Sequence, residues 1–266
     1  MTTTDPAEQF GSIPAAAVIA ACLQAQASAP PRSGVARLFG RSPLSDDSRP
    51  WYLGVLGELR VADQLAKLGP VWTVLHSVPI GKRGSDIDHV VVGAAGVFTI
   101  NTKFHEDARI WVGKRLLVNG QKTDHLRNSR FEAQRVTRAL TTIAGIPVEA
   151  HPVIVLVGVR SITMRERPTD VAVLRDTELV RWLNRHPNTL DPHVRDRIVT
   201  AMARREHWTA SSAPAPETDL AAFAALHREV GTARRVRVLW AMTLTASIMA
   251  VAATLAVNAY ASLVGG

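Results

Sequence analysis

The sequence predicts a mixed α/β domain, with a central mixed sheet flanked by helices, followed by one C-terminal transmembrane helix. Three stretches carry this reading. Ile87–Val92 and Val97–Ile100 are valine-rich runs about a small-residue turn, Gly93-Ala94-Ala95-Gly96, the pattern of a β-hairpin. Pro152–Val159 (PVIVLVGV) is a continuous apolar run, as expected of a strand covered on both faces. From Val238 to Gly266 there is no charged residue.

The hairpin organises the rest. Side chains alternate along a strand, so Asp86, Asp88, Val90 and Val92 share a face, as do Val97, Thr99, Asn101 and Lys103. A turn at Gly93–Gly96 sets Val92 opposite Val97, and the same register sets Asp88 opposite Asn101 and Asp86 opposite Lys103. Polar groups gathered beyond an apolar stretch are costly unless they bind something. The plain alternative is a solvated strand end with a salt bridge.

Upstream, Gly54–Leu68 reads as a helix. Its polar sector holds Arg60, Asp63, Gln64 and Lys67, while Glu58 falls inside the apolar sector. An inward glutamate needs a partner, a cation or a metal.

The remaining elements follow in order. Ala15–Leu23 reads as a short helix; the Ala-x-Ala after it imitates a signal peptide, but no lysine or arginine precedes it. Pro30–Pro50, rich in Pro, Ser, Gly and Arg, reads as a linker. Val71–Val78 reads as a strand with His76 in a structural role. Arg109–Val112 and Arg115–Val118 form a short hairpin, and Asn119-Gly120 a turn. Ser129–Ala144 reads as a helix opened by a Ser129-x-x-Glu132 capping box, burying Val136, Ala139, Leu140 and Ile143. Its other side shows Gln134, Arg135 and Arg138, with Arg127 and Arg130 close by. Val171–Leu174 is a strand, Asp176–Asn184 and Asp191–Trp208 are helices, Ala210–Thr218 is a linker and Leu220–Val230 a short helix.

The tail, Leu239–Val264, is long enough to cross a bilayer of about 30 Å. Arg228, Arg234, Arg235 and Arg237 precede it, which favours leaving the bulk of the chain in the cytoplasm. Trp240 and Tyr260 stand near its two ends. The domain boundaries expected are 1–50 for an arm and linker, 51–185 for the α/β domain, 186–237 for accessory helices and 238–264 for the membrane helix. The formal net charge of +8 favours polyanionic partners, nucleic acid or an acidic membrane surface. The single cysteine, Cys22, excludes an internal disulfide, and no Cys/His spacing suits zinc.

A carboxylate on one strand followed by N-T-K on the next resembles the D…(E/Q/N)-x-K signature of restriction-endonuclease-like nucleases. The wider order of motifs is similar to the nuclease-related domain (NERD) family: Gly57-Glu58, Ile87–Val92, Gly96-Val97-Phe98, Asn101-Thr102-Lys103, Val118-Asn119-Gly120 and Asn128–Gln134, over roughly Trp51–Leu183. The resemblance implies a restriction-endonuclease-like core. It also implies a Mg²⁺- or Mn²⁺-dependent nuclease cleaving phosphodiesters, DNA among them. Lys103, Asp88, Glu58 and Gln134 would be catalytic, and Asp88, Asn101, Glu58 and the Thr102 carbonyl would hold the cation, with Asp86 behind them. The lysine would orient or deprotonate the attacking water and stabilise charge on the phosphate. Lys82, Arg83, Arg127, Arg130, Arg135 and Arg138 would meet the nucleic-acid backbone. Many members carry glutamate where this chain has Asn101, a neutral and poorer ligand for a hard dication. The expectation is weak metal binding. The alternatives are a catalytically weak or inactive nucleic-acid or protein binding module at the membrane, and a structural membrane protein whose basic patches meet anionic lipid.

Overall fold

The structure is a computed structural model; it describes residues 11–80, 86–204, 208 and 218–264. Lys82 and Arg83 lie outside the described residues, as does most of the expected linker at 210–218. In chain order the elements are α1 (Ala16–Ala27), α2 (Gly34–Leu38), α3 (Ser48–Leu65), β1 (Thr73–Pro79), β2 (Asp86–Gly93), β3 (Gly96–Phe104), β4 (Arg109–Val112), β5 (Leu116–Val118) and β6 (Gln121–Thr123). There follow α4 (His125–Ala144), β7 (Ala150–Val157), β8 (Ser161–Met164), β9 (Ala172–Arg175), a 3₁₀ turn (Asp176–Glu178), α5 (Leu179–Asn184), α6 (Pro192–Met202) and α7 (Leu220–Val264). The chain divides into two compact units, Met1–Cys22 with Pro50–Thr218, and Leu23–Arg49 with Asp219–Gly266.

The first unit is mixed α/β. Its main sheet has the order β1-β2-β3-β7-β9, antiparallel from β1 to β3 and parallel from β3 to β9. The interior strand β7 is buried along most of its length, as its continuous apolar sequence requires. One sheet face, with Val90, Val92 and Val97, packs on Val136 and Leu140 of α4 and Ile198 and Met202 of α6. The other face, with Val91, Phe98 and Ile100, packs on Val61 and Leu65 of α3 and Leu179 and Leu183 of α5. A second mixed sheet, β6-β5-β4-β8, is joined through Ile110, Val112 and Leu116 to Ile154 and Leu156 of β7.

The hairpin turns at Ala94-Ala95 and sets Val92 opposite Val97, the register the sequence dictates. Several local expectations are corrected. Helix α4 starts at His125 with Asp124 at its N-cap, so Ser129-x-x-Glu132 is not a capping box; Ser129 is buried one turn inside the helix. Gln64, placed by helical angle in the polar sector of α3, is buried and accepts a hydrogen bond from Lys67 Nζ at 3.0 Å. The helix expected over Asp176–Asn184 opens as a 3₁₀ turn, Asp176–Glu178, before α5; Asp176 pairs with Arg60 at 2.8 Å, while Glu178 accepts the Arg175 N–H. Strand β8 had no periodic signal.

In the second unit the expected linker holds α2, and α3 begins at Ser48 with Pro50 in its first turn, where a missing N–H costs little. The expected break after Val230 is absent: α7 runs unbroken for 45 residues. It contains a candidate membrane span, with mean hydropathy 1.8 and none of that window buried. Its hydroxyls return to the helix, Thr243 to the Leu239 carbonyl, Ser247 to Thr243 and Thr254 to Ala250. That satisfies them without water.

Candidate functional site

The β2–β3 ladder ends at His89 opposite Ile100. Beyond it, β2 stays paired with β1 as far as Asp86, and β3 stays paired with β7 as far as Phe104. The sheet therefore forks at Asp88 and Asn101. In the fork a carboxylate oxygen of Asp88 accepts the Thr102 backbone N–H at 2.6 Å, taking the place of a ladder carbonyl. A backbone donor that leaves its ladder needs such a partner when buried.

Two helices close the fork. On one side α3 comes unusually near β3 at Gly57. A Cβ there would meet Phe104 Cβ at 3.1 Å and Thr102 Cγ2 at 3.2 Å. The missing side chain lets α3 sink, and Glu58 is buried, 4% exposed. On the other side α4 faces Asn101. The Asn101 amide donates to a Glu132 carboxylate oxygen in a short contact.

Burial raises the Glu58 carboxyl well above its usual range, and the charges of Asp88 and Asp86 raise it further, against Lys103. Burial and Asp88 push Asp86 up to about 6. Asp88 is also raised by burial, opposed by Lys103 and by the Thr102 hydrogen bond. Burial and Asp88 push Glu132 up to about 7, opposed by Asn101, Lys103 and Arg135. These mutual fields bring Glu58, Asp86, Asp88, Glu132 and Lys103 into one electrostatic cluster, with Asn101 bonded into it. Carboxylates that resist ionisation for lack of a counter-charge are suited to receive a cation.

The donor set fits a hard dication. Buried oxygens of Glu58, Asp86 and Asn101 (Oε2, Oδ2 and Oδ1) have no hydrogen-bond partner, and hard dications take oxygen ligands of this kind. Among the described residues no three His, Cys, Asp or Glu side chains are already closed into a ligand set. The orphaned oxygens instead mix carboxylate with amide.

Other expected residues are placed differently. Gln134 is exposed on α4, and its carbonyl accepts from Arg138 Nε at 3.3 Å. Arg127 is exposed beside Asp124, at 3.1 Å. Arg130 makes two bonds to Asp170, at 2.6 and 3.0 Å. Arg138 is exposed, while Arg135 is half-buried and close enough to Glu132 to act on it.

The sequence reading missed Glu132 as a site residue and two histidine pairs. His105 at the end of β3 meets His125 in the first turn of α4, Nε2 to Nε2 at 3.3 Å; burial and the Lys103 charge hold both below their usual range, His125 at about 4. His76 and His89 pair across β1 and β2, Nδ1 to Nδ1 at 2.7 Å, and burial lowers both, His76 to about 4. A signal for Glu132 did exist. Carrying the buried stripe of α4 back through Ser129 to Leu126 starts the helix earlier and turns Glu132 toward the sheet.

The first unit is thus a mixed α/β domain whose main sheet forks over buried carboxylates. Residues 53–157 match the family model of the nuclease-related domain (NERD). That match runs from α3 to the end of β7 and so spans Glu58, the fork and Glu132. No curated protein and no solved structure shows a match.

Proposed function

We propose that this protein is a membrane-anchored, Mg²⁺- or Mn²⁺-dependent phosphodiesterase acting on DNA, its nuclease-related domain on the cytoplasmic side. The observation that carries the reading is the fork, where the Asp88 charge raises the buried carboxyls of Glu58, Asp86 and Glu132 and the Lys103 charge lowers them. Asp88, Glu58 and Asn101 would hold the cation, with the Thr102 carbonyl as a further oxygen and Asp86 behind them. Bound there, a dication supplies Lewis acidity toward the phosphate and lowers the pKa of water.

The chain's own groups supply the rest. The Lys103 ammonium stabilises negative charge growing on the phosphate oxygens. Glu132, titrating at about 7, is matched to take a proton from the attacking water near neutral pH. As the water oxygen bonds to phosphorus, the bond to the leaving sugar oxygen breaks. Arg127, Arg135 and Arg138 on α4 are backbone-phosphate contacts, as are Lys82 and Arg83, which precede β2 in the sequence; Arg130 joins them by leaving Asp170. Arginines at the start of the span, Arg234, Arg235 and Arg237, support the cytoplasmic orientation.

The test is cleavage of linear and circular DNA by the full-length protein in detergent, with and without Mg²⁺ or Mn²⁺, beside Lys103→Ala. Dication-dependent cleavage lost in the variant supports the reading.

A second reading has its own observation. Asn101 stands in the fork where a carboxylate is usual, offering a neutral oxygen while its amide is bonded to Glu132. DNA binding without cleavage in either dication identifies a binding module built on the same fold.

A further inference from the structure

We infer that residues 34–41 form an interfacial collar that lies on anionic phospholipid at the boundary where α7 enters the bilayer; this rests on the reading that 238–264 spans the membrane. The collar is built against α7. Trp240 Nε1 donates to the Leu38 carbonyl at 2.8 Å, and the Phe39 and Trp240 rings are 5.3 Å apart. Gly40, at φ +66°, brings backbone against backbone: a Cβ there would meet the Ala233 carbonyl at 2.5 Å and the Arg237 nitrogen at 2.6 Å. Arg32 adds an ion pair to Glu229 and a bond to the Arg41 carbonyl at 2.6 Å.

This docking fixes the collar where the charged part of α7 ends, at Arg237, and its uncharged part begins. Short helix α2 then turns Val35, Leu38 and Phe39, spaced i, i+3, i+4, to the outside, 65%, 59% and 54% exposed. Three large apolar side chains together on a short segment are costly in water. Arg37, Arg41, Arg234, Arg235 and Arg237 are exposed near them, and none is in an ion pair among the described residues. Apolar anchors rimmed by unpaired arginine, beside a tryptophan at the head of an apolar helix, match the headgroup layer of an acidic membrane. Basic residues close to such a surface are attracted to its anionic headgroups.

The test uses full-length protein in nanodiscs of phosphatidylcholine, with or without phosphatidylglycerol. A fluorophore is attached at Leu38→Cys or Val35→Cys, at Ala250→Cys as a span reference, and at Lys122→Cys as a water reference; unsubstituted protein gives the Cys22 background. The inference expects labels at 38 and 35 to be quenched by headgroup nitroxide, more strongly with phosphatidylglycerol. It expects Ala250→Cys to be quenched only by acyl-chain nitroxide, and Lys122→Cys by neither. Arg37→Glu with Arg41→Glu should remove the phosphatidylglycerol dependence at 38 and leave Ala250→Cys unchanged. Labels at 38 and 35 that both behave as Lys122→Cys, while Ala250→Cys reads the acyl chains, overturn the collar and leave the span standing. An aqueous Ala250→Cys overturns the span and the collar together.

Discussion

Asn101 on β3 donates its side-chain amide to Glu132 on α4, so the carboxylate missing from the strand is supplied by the facing helix. Glu132→Gln is expected to weaken Mn²⁺ binding and lower cleavage by about a hundredfold, since a base matched to the pH contributes on that order. Asn101→Glu alone sets two carboxylates side by side and removes the amide donor, so it should not rescue activity. The exchange Asn101→Glu with Glu132→Gln restores one donor and one acid and should recover much of the loss. Metal titration and cleavage rates of the four proteins form a double-mutant cycle. Additive effects would show that the two residues do not act as a unit.

Lys103 lowers the carboxyls of Glu58, Asp86, Asp88 and Glu132 through its charge. Its removal takes away the cation that stabilises the phosphate and also a charge that repels a dication. Lys103→Met should therefore reduce cleavage by about a hundredfold or more while leaving dication affinity unchanged or tighter. Calorimetric titration beside the cleavage rate separates the two effects, and loss of both together would argue for a structural role.

The part of this site that is legible in sequence is the part that local pattern controls. The small-residue turn pins the hairpin register as far as His89 opposite Ile100; one residue further on the ladder opens, and Asp88 bonds the Thr102 N–H instead of pairing with Asn101. Helical angle alone turns Glu58 inward. Glu132 is hidden by a competing local signal, because Ser129-x-x-Glu132 imitates a helix start while the helix begins at His125. The second sheet is half legible, since its β4–β5 hairpin is read, but β8 escapes because it pairs with β4 across a long stretch of chain and a strand of four residues has too little periodicity to announce itself. The collar escapes for a similar reason: Pro, Ser and Arg around α2 read as a linker, and only the Trp240 and Gly40 contacts give it a fixed place.

Gly57 sets the depth of Glu58. A methyl at 3.1–3.2 Å from Phe104 and Thr102 forces α3 or β3 to give way by a few tenths of an ångström. Gly57→Ala should cost about 1 kcal/mol net, overpacking outweighing the helix-propensity gain. Its effect on cleavage should exceed its effect on stability, because Glu58 moves with the helix. Chemical denaturation and kcat measured on the same preparation check this; equal small effects on both would remove Gly57 from the argument.

The uncharged part of α7 predicts a simple partition. A chain ending at Arg237 should be recovered in the soluble fraction, and the full chain only with detergent or lipid. Fractionation after high-salt and carbonate washes distinguishes a spanning helix from surface adsorption. Recovery of the full chain in the wash would contradict the span.

The raised carboxyls give the site a characteristic pH dependence. Asp86 at about 6 and Glu132 at about 7 hold protons that the unfolded chain releases near its ordinary carboxylate range, and Glu58 and Asp88 shift the same way. Their contribution to stability is full below the unfolded pKa and is lost as pH rises through the folded values. Without a dication, that contribution should decline from about pH 4 to about pH 7. His76 and His89 act oppositely, since their depressed folded pKa favours the native state above about pH 6.5 and costs stability as pH falls. The two opposing slopes are separated by Glu132→Gln, which removes one raised acid and leaves the histidine pair. Relative to wild type, its melting temperature should rise as pH increases through about 7, where the wild-type Glu132 is forced to ionise. A dication takes over the role of the bound protons, so Mn²⁺ should stabilise the wild type more at about pH 8 than at about pH 6 and release protons as it binds. Titrations in two buffers of different ionisation enthalpy measure that release directly. Mn²⁺ binding with no proton release near neutral pH would show that the ion does not enter the carboxylate cluster.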